Sequence, residues 1–142
     1  MSRSHSLISL PVVVVGHTDC GGAINCYKAA KELANNPDKA AKEPIVTLPT
    51  MPATAPINVW LAPLTRLGVY LLTHPLHPHY TPADPVLQLI EANVRAQVAN
   101  VASSESGRKV PVHGWLFELK TGRLVDLNVT IQPTEQPEHH QH

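Results

Sequence analysis

The run Val12-Val13-Val14-Val15, closed by Gly16, constrains the fold more than any other stretch of this chain. Four β-branched residues in succession crowd the preceding turn of a helix and fit a pleated surface, so the run reads as a strand. It is apolar throughout rather than alternating. That pattern suits a strand buried on both faces, as in a parallel sheet covered by helices. Gly21 and Gly22 then allow a tight turn, and Ala23, Cys26, Tyr27, Ala30, Leu33 and Ala34 recur at helical spacing across 22–34. Asn36-Pro37 is a stop signal. Strand, glycine-containing turn and helix together open an α/β unit.

The rest of the chain is compatible with that start. Between Pro44 and Pro56 the prolines leave no period, which predicts a loop. Ile57, Trp60, Leu61, Leu64, Leu67 and Leu71 return to helical spacing, and Pro63 inside them predicts a kink or two short helices. His74-Pro75-Leu76-His77-Pro78-His79 reads as a second loop. Thr81 or Asp84, each followed by proline, can cap a helix whose stripe is Val86, Leu89, Ile90, Val94, Val98 and Val101 and which ends near Ala102. Ser103 to Arg108 is a polar turn. Val112 to Leu119 and Leu124 to Ile131 flank Lys120-Thr121-Gly122-Arg123 as the two strands of a hairpin. The expected organisation is an irregular N-terminus over 1–10, one α/β domain over 11–131 and a disordered tail over 132–142. There are no internal repeats.

Composition narrows the function classes. The 142 residues suit one domain, and 43% hydrophobic against 15% charged residues suits a globular one. Eleven basic and eleven acidic residues balance to a net charge of zero. No basic stripe is available to neutralise phosphates, so nucleic acid is not an expected partner. No apolar run approaches the roughly 20 residues that span a bilayer, so no membrane partner is expected either. Arg3 and the apolar residues Leu7 to Val15 loosely imitate a signal peptide, but Pro11 interrupts the run and no small-residue cleavage site follows. The two cysteines, Cys20 and Cys26, do not make a disulfide framework. A reducing compartment is expected, cytoplasmic or organellar.

Chemistry concentrates in Gly16-His17-Thr18-Asp19-Cys20-Gly21-Gly22. The segment falls at the carboxyl end of a parallel strand, where open α/β sheets bind ligands. An imidazole and a thiolate three residues apart on a turn can reach one metal, and both are good zinc ligands. The helix that follows directs free N–H groups at the site, which favours a thiolate and an anionic substrate. On spacing alone, however, such a pair is more often packing than metal site.

The wider wording adds a resemblance. Val13-Val14-Val15-Gly16-His17-Thr18-Asp19-Cys20-Gly21-Gly22-Ala23 is similar to the zinc-binding strand and turn of β-class carbonic anhydrases. Ile57-Asn58-x-Trp60-Leu61-x-Pro63-Leu64 resembles that family's next helix, and Asn93-Val94-x-x-Gln97-Val98-x-Asn100-Val101 the one after it. The stretch from Val112 to Leu124 resembles its last strands. The matches run in order from about Val12 to Leu127.

The resemblance implies a partial fold of that family: a parallel central sheet flanked by helices, with a C-terminal hairpin. It implies Zn2+ as cofactor, CO2 and bicarbonate as substrates, His17 and Cys20 as metal ligands, Gly21 in the substrate pocket, and a homo-oligomer or pairing with a homologue. The family's other zinc ligand is the Cys of an upstream Cys-x-Asp-x-Arg segment, whose Asp–Arg dyad handles the zinc-bound water. That segment does not occur in residues 1–142. One ligand, the dyad and the neighbouring strands are therefore missing, no catalytic residue can be assigned, and a shortened gene product or an inactive remnant is the competing expectation.

Other residues have plainer readings. Cys26 lies on the apolar face of its helix and reads as a core cysteine. His113 opens a strand and reads as a core or edge histidine. His74, His77 and His79 stand among prolines and read as loop residues, and the tail histidines as exposed ones. Trp60, Trp115 and Phe117 read as core aromatics. Phosphate binding through Gly21-Gly22 finds no P-loop or G-x-G-x-x-G pattern.

Overall fold

A computed structural model describes residues 10–42, 44–75 and 83–134. Most of the expected irregular N-terminus, His77, His79, Thr81 and the tail from Glu135 lie outside the described residues. The chain begins with strand β1 (Val12–His17) and helix α1 (Gly21–Ala34). Helices α2 (Pro37–Lys42), α3 (Pro56–Thr73) and α4 (Pro85–Ser103) follow. After a 3₁₀ turn at Gly107–Lys109, strands β2 (Val112–Glu118) and β3 (Arg123–Ile131) complete the order.

The three strands form one mixed sheet in the order β1-β2-β3. β1 and β2 are parallel, from Val12 opposite Val112 to His17 opposite Phe117. All the helices lie in this crossover, as the length of a parallel connection requires. β2 and β3 are the expected antiparallel hairpin. Its register shifts between Gly114 and Trp115, opposite a stretch of β3 in which Asn128 adopts a left-handed φ of 56°.

Helix α4 lies across the sheet, and glycine lets it come close. A Cβ on Gly16 would stand 2.6 Å from Val94 Cγ2, and one on Gly114 2.9 Å from Val94 Cγ1. Real Cβ atoms do not tolerate such distances, so both strands present bare backbone to one valine. Val94, Val98 and Val112 form the core at this contact, and Ala23, Ile90 and Leu116 form it nearer the His17 end. Helices α1 and α3 pack on each other and on α4 through Cys26, Leu61 and Leu89. Burying each large side chain of this kind contributes roughly 1.5–3 kcal/mol.

Several elements depart from the sequence reading. β1 is not buried on both faces: Val15 is 50% exposed. Among the described residues the helices cover only the face of Val14 and Gly16, and no strand lies beyond β1. α3 runs as one helix through Pro63. Val59, whose carbonyl the missing amide would have engaged, is exposed, so water can satisfy it while Leu61 and Gly68 hold the opposite side against the core. Pro37 does not only stop α1. It also starts the short α2, since proline is at home at the first position of a helix. Asp84 is the N-cap of α4, its Oδ1 accepting from Val86 N at 2.9 Å. Trp60 is 74% exposed rather than core, because the inward side of α3 is taken by Leu61 and Thr65. Trp115 and Phe117 are half-buried on the uncovered sheet face.

Candidate metal centre

The turn from β1 to α1 is fixed at both ends. Thr18 N donates to Phe117 O at 3.0 Å, and Leu119 N donates to Thr18 Oγ1 at 3.0 Å, so the turn is tied to the end of β2. Asp19 takes a left-handed φ of 53°, which the short polar side chain of Asp tolerates. Cys20 is the N-cap of α1, with extended backbone, and its Sγ accepts from Ala23 N at 3.5 Å. A sulfur in that place stands in for the oxygen of an ordinary cap and sits at the positive end of the helix.

His17 is exposed on the uncovered sheet face. Its Nδ1 is 2.9 Å from Thr18 O. A carbonyl only accepts, so Nδ1 is the donor of this contact; a neutral ring with that donor offers Nε2 to a metal. Beside the ring is an open apolar hollow of about 520 Å³ formed by Val15, Gly16, Phe117, Leu119 and Leu124. Cys20 turns the other way and touches the core around Ala23, Ile90 and Leu116. The two donors therefore belong to one short turn, each with a backbone partner of its own. Gly21 is exposed and a Cβ there would meet nothing within 4 Å, so the packing of this chain does not demand glycine at that position.

The donor set has the right chemistry for zinc but not the number. Among the described residues no three His, Cys, Asp or Glu side chains come together as a metal site. Catalytic zinc takes three protein ligands. Cys26 does not help: it is fully buried in the core. Burial pushes its thiol up, against the hydrogen bonds of Thr65 and Thr47, which lower it. His113 Nδ1 is 2.8 Å from Thr130 Oγ1 across the hairpin, and His74 stacks on Tyr70 at 4.3 Å. The described residues therefore do not complete a catalytic zinc site.

Sequence reasoning missed a second hollow on the other side of the turn. It measures about 480 Å³, with Asp19, Asp84, Glu118 and Lys120 at its rim and Ile24 and Ile90 among its apolar lining. These residues come from three separate stretches, 18–24, 84–90 and 118–121, so no local motif announces it.

No family model matches the sequence. Solved structures do match the fold. A tetrameric β-carbonic anhydrase from the filamentous ascomycete Sordaria macrospora aligns over 85% of this chain and 53% of its own, with a TM-score of 0.55 and 19% identity. The β-carbonic anhydrase CcaA aligns over 89% of this chain and 52% of its own, with a TM-score of 0.53 and 17% identity. The protein thus has an α/β fold like part of the β-carbonic anhydrase fold. It spans about half the length of the solved chains it matches.

Proposed function

We propose that this chain belongs to the zinc-dependent, reversible hydration of CO2 to bicarbonate, with His17 and Cys20 as two of the metal's protein ligands. The observation that carries the reading is the turn itself: an imidazole whose Nδ1 is held by a backbone carbonyl and a thiol capping a helix, three residues apart at the end of a parallel strand. When bound, zinc supplies a water acidic enough to give hydroxide near neutral pH. His17 would present Nε2 to it, Cys20 would give a thiolate held by the Ala23 amide, and Gly21 would border the substrate. A third ligand would come from a partner chain or from a fuller gene product. The compartment would be cytoplasmic, and the working form a homo-oligomer or a pair with a homologue, in line with the tetrameric relative.

A second reading is favoured by the donor count. With no group of three donors among the described residues, the chain by itself would be an inactive remnant or partner-binding fragment that retains the fold. Zinc content and CO2-hydration rate of the purified chain, with Cys20→Ser as control, separate the two. Stoichiometric zinc and hydration, both lost in the variant, support the first. Absence of stoichiometric zinc refutes catalysis by this chain.

A further inference from the structure

Residues 44–52, between α2 and α3, belong to no helix and no strand. Two side chains of α3 hold them. Asn58 accepts from Thr47 N and Leu48 N and donates to Leu48 O and Pro52 O, and Thr65 Oγ1 lies 2.7 Å from Thr47 Oγ1. Ile45 and Thr47 are buried, and Leu48 packs on the core of Cys26, Leu61 and Leu89. The outer side, from Pro49 to Pro52, is exposed. Towards α1 the segment stands off: a hollow of about 490 Å³ is lined by Val46 and Pro49 on one side and by Lys28 and Glu32 of α1 on the other. Side-chain anchors, little apolar burial and a hollow behind it place such a segment at the low end of local stability. Its prolines, Pro44, Pro49 and Pro52, fix φ and keep it from fraying residue by residue.

We infer that residues 44–52 form a strap that opens as one unit while the rest of the fold stays closed, and that its opening uncovers Cys26. The inference goes beyond the zinc reading and does not depend on it. Every bond involved lies between residues 26 and 65, away from β1 and its neighbours. The strap moves as a unit because one side chain, Asn58, grips it at Thr47, Leu48 and Pro52 together. Lifting any of these from α3 strains the geometry of the others. Cys26 lies beneath it: the Thr47 and Thr65 hydroxyls both bond its thiol, and Leu48 packs against it. Closed, the strap leaves that thiol no access to water. The core of Val94, Val98 and Val112 on the sheet side makes no part of these contacts, so it has no reason to open with the strap.

Hydrogen exchange of the native chain at low urea tests this. The Thr47, Leu48 and Met51 amides, all bonded in the closed strap, should exchange with one common protection. Corrected for intrinsic rates, they should exchange at least about tenfold faster than the Ile90 and Val94 amides inside α4. Their rates should stay flat as urea rises towards the unfolding transition, because a small opening exposes little surface, whereas those of Ile90 and Val94 should climb. Thr65→Val, which removes one strap bond, should speed all three strap amides by a shared factor of about ten. Val98→Ala, in the sheet-side core, should speed Ile90 and Val94 by about tenfold or more and leave the strap amides unchanged. Strap amides that climb with urea as steeply as Ile90 and Val94 would overturn the proposal. So would strap amides that speed up in Val98→Ala, or a Thr65→Val effect confined to Thr47. Should either variant fail to fold, the urea dependence of the wild-type amides decides.

Discussion

Asn58→Leu is the most informative single substitution for the fold. Asn58 is fully buried. Its side-chain oxygen accepts from Thr47 N at 3.1 Å and Leu48 N at 2.8 Å. Its amide nitrogen donates to Leu48 O at 3.1 Å and Pro52 O at 3.0 Å, with Met51 O at 3.3 Å. One side chain thus replaces the ladder that the loop before α3 lacks. Leucine has the same branching but is larger and has no polar atoms, so at least two amides and two carbonyls lose their partners. Each orphaned buried group costs about 1–3 kcal/mol. Water regains some of them as the loop loosens, and the expected net loss is about 3–5 kcal/mol. Urea unfolding followed by tryptophan fluorescence measures it. A loss under about 1 kcal/mol would refute the claim that this amide organises the loop.

Three further outcomes follow from the packing and from the buried thiol. Gly16→Ala should destabilise by about 1–3 kcal/mol, because the new methyl meets Val94; unfolding equilibria with an unchanged m-value check it. Burial pushes the Cys26 thiol above its ordinary 9.0, so the folded state keeps a proton that the unfolded chain releases. Its stabilisation is intact below that pH and is lost as pH rises through the folded value, a decline that Cys26→Ala should flatten in urea titrations between about pH 8 and about pH 10. Alkylation under native conditions should modify Cys20, which is partly exposed, and spare Cys26 until urea is added; equal rates would contradict the placement of the two thiols.

How much was legible in the sequence differs between elements. α1, α4 and the hairpin were visible because their apolar spacing, the Asp84-Pro85 start and Gly122 are local signals. Local signals could not say what lies beside them. Val12–Val15 has the pattern of a two-sided buried strand, yet Val15 is half-exposed, since burial depends on which elements surround it. The same limit explains Trp60: helical spacing put it near the stripe of α3, but only the packing of Leu61 and Thr65 decides which side faces inward. Pro63 predicts a kink or two short helices because the lost bond is local, whereas the contacts that keep α3 whole come from α1 and α4. At the site, His17 and Cys20 were evident from their spacing. The Nδ1 contact of His17 and the capping role of Cys20 emerged only with the backbone of the turn.

The central claim is that His17 and Cys20 together form part of a zinc site. Zinc K-edge absorption of the loaded chain, with the tail histidines His139, His140 and His142 replaced by alanine, tests it most directly. One sulfur at about 2.3 Å and at least one imidazole nitrogen at about 2.0–2.1 Å are expected, with the sulfur absent in Cys20→Ser. A first shell without sulfur in the unsubstituted turn would contradict it.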